Sequence, residues 1–583
     1  MDGSNANTPG ESLQNEPANL INSSEGVNLN TSNGSSLQSA ANAPNLANKS
    51  YTQAAYAPNS SYTQNAAYMP RKPKEKFKPL MADFVFAIIA FIIGYLFSRW
   101  VLFAWQGWGV AAFTIIYLLT VTFYLLKKDA HTNSISAWFW CIVTLATGIS
   151  YALWENKGMM YHRNLFLFCS AVYYVIVASN RTIMGKTGNM LLLDGINAVF
   201  IIPFRNFINQ YLSFGILKKE KQKKGRTLPI FLGILFGVIL LMGLIPLLLR
   251  ADSGGFEVVV RFFVSNIQRI ADSIGEVIFY FVIGIPVAAY IYGLVSGSAH
   301  GRATDTIDPE SSKKTVEALR VFQPATVFIA LGTVCVLYLV FILSQIPYFF
   351  SAFTGRRPEG WMIYAEYARK GFFELCVIAV INLVIITVGN LTSRKQRSRS
   401  RLLKSFNIAF AFITLLIIAT AFSKMILYID AYGLTMLRLL PCVFMIFMLG
   451  VFGALVALQK WDFSIVRFAL VTGCVIFCVL CLSNPDALVV RYNTDRFLDG
   501  TLAEYDVDIL YRAGSAGVSS AVKVYKTTSD EAVKGEILIY LKSQRHNVWH
   551  GSATGYNTGY NRSSNEYNLE MYRAHWDYID ILN

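Results

Sequence analysis

From Met81 to Ser483 the chain is a succession of apolar runs separated by short polar loops. A helix of about 20 residues crosses a hydrocarbon core of about 30 Å, and most of these runs reach that length. Inside a bilayer no water satisfies backbone N–H and C=O groups, so each run is expected to be helical. Spans are expected to begin near Met81, Trp108, Ser136, Asn164, Leu228, Glu276, Ala325, Gly371, Ile408, Leu437 and Ser464, about eleven in all. The fold class is therefore all-α: a polytopic membrane helix bundle over 79–483, between a polar tail at 1–78 and a small helical domain at 484–583.

The tail is rich in Asn, Ser and Ala and cannot bury enough apolar surface to offset its ordering entropy, so it is expected to be disordered. A tandem echo, "SYTQAAYAP" at 50–58 and "SYTQNAAYMP" at 61–70, reads either as low-complexity drift or as a docking peptide. The tail ends in "RKPKEKFK", which holds it in the cytoplasm. Counting spans from there, Lys and Arg concentrate in the inner loops: "KKDAH" at 127, the stretch 180–227, the loop 297–322, "SRKQRSRSRLLK" at 393–404 and Lys460. That distribution follows the positive-inside rule. An odd span count then puts the C-terminal helices outside, in a multi-pass plasma-membrane protein.

Two regions break the pattern. In "LLLDGINAVFIIPFRNFINQYLSF", 191–214, polar Asp194, Asn197, Arg205 and Asn206 interrupt the apolar run and Pro203 argues against one continuous span. An interfacial helix and a re-entrant element both fit. After Cys481 the chain turns amphipathic. Asn484 is a candidate N-cap with Pro485 at N1 and Gly500 beyond the end. "LAEYDVDILYRAG" is expected as a helix closed by Gly514, Thr528 and Glu531 as a capping box for "SDEAVKGEILIYLKSQ", and a final helix from about Ser564.

Composition supports a membrane protein: of 583 residues, 54% are hydrophobic and 15% charged, and mean hydropathy is positive. The net charge of +15 lies in short loops rather than in a basic domain, so no nucleic-acid partner is expected. All eight cysteines lie in apolar stretches, and no disulfide framework is implied. The six histidines fall outside the apolar cores of the spans, and no H-E-x-x-H, P-loop, G-x-S-x-G or kinase signature occurs. His546 and His550 share a helical spacing but lack further ligands, and Cys474, Cys478 and Cys481 read as packing residues. No catalytic residue, metal or cofactor is expected.

One charged stripe enters a span. In "YAEYARKGFFEL", 364–375, Glu366, Lys370 and Glu374 step by four, with Arg369 and Phe373 on the same arc. Glu374 follows two phenylalanines and is expected in the outer hydrocarbon, where a carboxylate needs a partner. Together with "YLVFILSQIPYFF" (338–350), "LYIDAYGLTMLRLL" (427–440), "NPDALVVRYNTDRF" (484–497) and "NLEMYRA" (568–574), this stretch resembles, in the same order, an uncharacterised family of bacterial polytopic membrane proteins known only as a domain of unknown function, common in Gram-positive bacteria. The resemblance implies a multi-span protein with an extracytoplasmic helical region and no assigned reaction. It also implies landmark positions: Gln345, Tyr364, Glu366, Tyr367, Arg369, Gly371, Phe373, Glu374, Tyr432, Gly433, Thr435, Arg438, Asn493 and Arg496.

The span count places all of these near the outer face. Arg438 enters its span at the same depth as Glu374 and is the expected partner, with Arg369 as the alternative. The expected function is non-enzymatic: envelope sensing, assembly or regulation through an outer-face polar cluster that couples the bundle to the ectodomain. Its partners would be the lipid bilayer and an envelope protein or ligand at the outer face. The alternative is a secondary transporter using Glu374 as an ion or proton site. A third possibility is an envelope-modifying enzyme whose active site lies in the ectodomain, supported only by Asp506, Asp508 and His546.

Overall fold

The computed structural model describes residues 77–131, 133–216, 255–304, 309–318, 324–354, 372–392, 401–550 and 566–582. The N-terminal tail with its tandem echo, the expected span near Leu228, and Tyr364, Glu366 and Arg369 lie outside these residues. Among the described residues every regular element is a helix. Among these described residues seven helices are long and apolar enough to cross a membrane: Met81–Leu102, Trp108–Lys127, Ile135–Leu153, Gly275–Ala299, Lys404–Tyr432, Met436–Ala457 and Ile465–Leu482. The expected spans near Ala325 and Gly371 correspond to shorter apolar stretches, Ile329–Ser344 and Glu374–Gly389, within longer helices. The one near Asn164 is a 19-residue helix, Met160–Ala178, whose first turns carry His162, Arg163 and Asn164.

In chain order the helices are α1 (Met81–Phe97, running on into a π turn, Ser98–Leu102), α2 (Trp108–Lys127), α3 (Ile135–Leu153), α4 (Met160–Ala178), α5 (Leu191–Ile196), α6 (Ile202–Arg205), α7 (Asn209–Ser213), α8 (Gly255–Ala299) and α9 (Pro309–Ala318). They continue as α10 (Pro324–Thr354), α11 (Phe372–Thr392), α12 (Arg401–Tyr432), α13 (Met436–Ala457), α14 (Ile465–Leu482), α15 (Pro485–Leu498), α16 (Asp508–Ala513), α17 (Val518–Thr527), α18 (Glu531–His550) and α19 (Leu569–Leu582). The end of the bundle that carries α15–α19 is called the upper end here.

Side-chain contacts fix the directions. Asp83 meets His300, Phe86 stacks on Tyr292, and Gly94 faces Gly284, so α1 and α8 are antiparallel. A Cβ on Gly94 would run into the backbone of Gly284. Small residues let two span backbones touch where no hydrophobic effect pulls helices together in lipid. Two apolar cores result. One joins α1–α4 and α8 around Phe86, Tyr124, Tyr174 and Tyr292; the other joins α10–α13 around Phe410, Ile417, Met445 and Phe452. Helix α14 is their shared wall, giving Leu470, Cys474 and Cys478 to the first and Ile465 and Ala469 to the second. The three helically spaced cysteines are thus packing groups, with Cys478 Sγ 3.8 Å from Thr147 Oγ1.

The segment 191–213 is neither one span nor a simple surface helix. It is three short helices and a π turn, Asn197–Ile201, helical through Pro203 and broken only by the turn at 206–208. Asp194, Asn197, Asn206, Asn209 and Gln210 are buried, while Leu192, Phe200, Phe204 and Ile208 are exposed. The polar face bonds to protein: Asn206 Nδ2 donates to the Arg302 carbonyl at 3.0 Å and Gln210 Nε2 to the Ala87 carbonyl at 3.1 Å. The segment therefore turns its apolar face away from the protein, the reverse of a water-facing helix.

Above the spans, α15–α19 pack around Val490, Leu510, Tyr540, Leu541 and Tyr578, and this core takes in Leu434 from the α12–α13 turn. Asn484 caps α15 as expected, its Oδ1 accepting from Ala487 N–H at 3.2 Å. Helix α18 is capped by Asp530, not by the expected Thr528 box. Asp530 Oδ1 accepts from Ala532 N–H at 2.9 Å, and Thr528 Oγ1 accepts from Asp530 N–H instead. Asp530 is nearer the first turn, so it captures the free N–H groups first. The "LAEYDVDILYRAG" helix is shorter than expected, Asp508–Ala513, and passes through a 3-10 turn into α17.

Candidate functional site

Two joints attach the C-terminal helices to the span ends. The first is the α12–α13 turn. Gly433 adopts φ +76°, and Asn493 of α15 reads the turn like a complementary strand: Leu434 N–H donates to Asn493 Oδ1 at 2.7 Å, and Asn493 Nδ2 donates to the Leu434 carbonyl at 2.7 Å. A Cβ on Gly433 would lie 2.6 Å from Asn493 Oδ1, so glycine is required by both conformation and space. Arg496 Nη1 donates to the Asp430 carbonyl at 2.7 Å and its Nη2 lies 3.4 Å from the Asp430 carboxylate. Thr435 is the N-cap residue of α13 but makes no side-chain cap bond.

The structure thus brings together Tyr432, Thr435, Arg438, Asn493 and Arg496. The expected Glu374–Arg438 pair does not form. Arg438 stacks on the Tyr428 ring, 4.1 Å from its centroid, and donates to the carbonyls of Tyr432 and Gly433, which the turn aims at it. Glu374 is exposed at the upper end of α11, and its charge is felt by Lys424 of α12, which is 8% exposed; the alternative partner Arg369 lies outside the described residues. Gln345 falls on α10 toward its upper end.

The second joint involves residues that the sequence did not single out. Glu155 and Asn156 follow α3, Asp486 opens α15, Ser515 lies between α16 and α17, and Glu570 opens α19. Glu155 Oε2 accepts from Ser515 N–H at 2.9 Å and from its hydroxyl at 2.7 Å, with Glu570 Oε2 at 3.5 Å from the same hydroxyl. Glu570 also accepts from Glu155 N–H at 2.9 Å and from Asn484 Nδ2. Asp486 accepts from Gly158 N–H at 3.0 Å. Three carboxylates therefore meet in one partly buried network. Burial pushes the Glu570 carboxyl up to about 7, helped by the like charges of Glu155 and Asp486 and opposed by its two hydrogen bonds. Burial likewise lifts Asp486 to about 6.

The nearby cation does not neutralise them directly. Fully buried Arg163 donates to the carbonyls of Trp154 and Glu155, at 3.2 and 2.8 Å, and stacks on Tyr151 at 3.8 Å, while its Nε has no hydrogen-bond partner. Burial thus brings the protonation of Glu570 close to neutrality, while the Ser515 hydroxyl donates to Glu155. The signals were present in "NPDALVV" and "NLEMYRA", but neither shows that its acid would meet residue 155. Among the described residues no group of three or more His, Cys, Asp or Glu side chains is arranged to hold a metal ion.

No curated protein and no solved structure matches the chain significantly. A family model, domain of unknown function DUF4153, matches residues 139–523, well over half of the chain. That stretch contains both joints except Glu570, and with it the turn at Gly433 that Asn493 clasps. By that match the chain belongs to the DUF4153 family.

Proposed function

We infer that this protein is a non-enzymatic, multi-pass component of a bacterial plasma membrane that senses or regulates the cell envelope, its upper face lying outside and its N-terminal tail in the cytoplasm. The carrying observation is the double joint: Asn493 clasps the Leu434 backbone, and Glu155 and Glu570 share Ser515. Buried polar joints of this kind make the C-terminal helices and the span ends one mechanical unit. An event at one is then felt at the other, and linkage makes that coupling reciprocal. The test is hydrogen exchange on the full chain in nanodiscs. Asn493→Ala should raise exchange in α15 and also at the facing ends of α12 and α13; a change confined to α15 would sink the coupling. Orientation is tested by an impermeant maleimide on intact cells, where Ser529→Cys should react and Trp461→Cys should not.

A second reading, secondary transport, is favoured by one observation: Lys424, buried in the α10–α13 group, lies close enough to Glu374 to feel its charge. Ionisable pairs inside spans often mark ion or proton paths. Glu374→Gln that leaves the protein folded but abolishes a pH-dependent flux in proteoliposomes would establish that reading over the first.

A further inference from the structure

Between α1, α2, α3, α4 and α8 the bundle holds a cavity of about 390 Å³. It runs from the upper ends of α1, α2 and α4 down to residues 287–294 of α8, and its lining is almost wholly apolar. The polar groups along it have their hydrogens committed elsewhere. Thr114 and Thr144 hydroxyls donate to the Val110 and Trp140 carbonyls, each at 2.8 Å, and Tyr117 and Tyr290 donate to the Ala171 and Val199 carbonyls at 3.2 and 3.0 Å. Asn164 differs. Its Oδ1 accepts from the Tyr151 hydroxyl, while its buried Nδ2 has no hydrogen-bond partner. A buried donor left unpaired is costly, and Asn164 lines the cavity, so a turn of its amide toward a ligand that brings an acceptor would relieve that cost.

An apolar lining of this kind suits water poorly, because an ordered water needs two to four polar partners. Hydrocarbon does, since moving a chain from lipid into apolar protein costs no desolvation. The way in is visible: Leu165 and Phe168 of α4 both line the cavity and are exposed on the surface of the bundle. Exposed Trp105 and Tyr161 line it as well, toward the upper end, and such rings favour the membrane–water boundary. A methylene takes up about as much room as a water, roughly 30 Å³. The cavity therefore has space for on the order of a dozen chain carbons, one acyl chain rather than a long prenyl chain.

The geometry points to a binding site for one acyl chain of a glycerophospholipid drawn from the adjoining leaflet, with its ester carbonyl accepting from Asn164 Nδ2. The site stands independently of the coupling proposed above. Full-length protein in proteoliposomes doped with a phosphatidylglycerol that carries a diazirine on its acyl chain tests it, with crosslinks mapped by mass spectrometry. Crosslinks should concentrate on α2 and α4 around Thr114, Leu165 and Phe168. Ala171→Phe, which fills the cavity, should lower them about tenfold; Leu165→Trp at the mouth serves if that variant does not fold. Asn164→Leu should lower labelling severalfold, to the level at which a dialkyl ether analogue labels the unsubstituted protein. Labelling spread evenly over all exposed span faces, or unchanged in a folded cavity-filled variant, would overturn the site. Equal labelling by ester and ether lipids would overturn the Asn164 contact, and suppression by a long-chain prenyl phosphate but not by diester lipid would overturn the acyl assignment.

Discussion

The lower and upper ends of the bundle solve the same problem in opposite ways. At the lower end Asp83 is fully buried, yet both its oxygens are engaged: Oδ1 by the Tyr124 hydroxyl at 2.5 Å and His300 Nε2 at 3.0 Å, Oδ2 by Lys128 Nζ at 2.8 Å and Leu80 N–H at 2.7 Å. At the upper end Glu155, Asp486 and Glu570 meet, and the one buried guanidinium beside them is spent on backbone carbonyls. A carboxylate removed from water is held either by an opposite charge or by a proton. The lower network uses charge and ties α1, α2 and α8 together. The upper one has hydrogen bonds instead, and burial raises Glu570 and Asp486 toward neutrality, so protonation should tune its hold on the C-terminal helices.

The sharpest way to break this contrast is at Asp83. Asp83→Asn leaves Lys128 buried without its counter-charge and should cost about 3–5 kcal/mol. Loss of monodisperse protein on size-exclusion chromatography, partly restored by adding Lys128→Met, would show it; an unaffected variant would mean that the pair is not needed.

The upper network should respond to pH instead. Glu570 is raised to about 7 when folded, from 4.5, so the folded state keeps a proton that the unfolded chain has already lost. Its contribution is complete below about pH 4.5 and is lost as pH rises through about 7, amounting to roughly 3 kcal/mol at most. Asp486 acts with the same sign up to about 6. The thermal midpoint of the C-terminal helices should fall between pH 5 and 8, and Glu570→Gln should flatten that dependence. A midpoint that rises with pH would refute the proton-held network.

Asn493→Ala removes two backbone bonds at the Gly433 turn and should cost about 1–3 kcal/mol in denaturant titration. The smallest effect is expected at Glu374. Being exposed, Glu374→Gln should change stability by less than about 1 kcal/mol. It should also fail to rescue Arg438→Gln, whose loss comes from the turn carbonyls. Rescue would restore the Glu374–Arg438 pair that the structure separates.

Some of this was legible in the chain itself. Apolar runs of span length, the helical form of the described ones, the Asn484 cap with Pro485, and Gly433 as a tight turn are local properties, set by periodicity, backbone freedom and bilayer thickness. Asn493 and Arg496 were marked by their motif, though not by any visible partner. Partners are what the tertiary structure alone decided. Glu155 and Glu570 are 415 positions apart, Asp83 and His300 217 apart, and their meeting depends on which helices pack together. The same holds for Arg438, which turns to the Tyr432 and Gly433 carbonyls rather than to Glu374, and for the cavity, since a void belongs to five helices at once and to none of their sequences. Periodicity tells which face of a helix is apolar; only packing tells which apolar face leaves a gap, and which buried charge finds company.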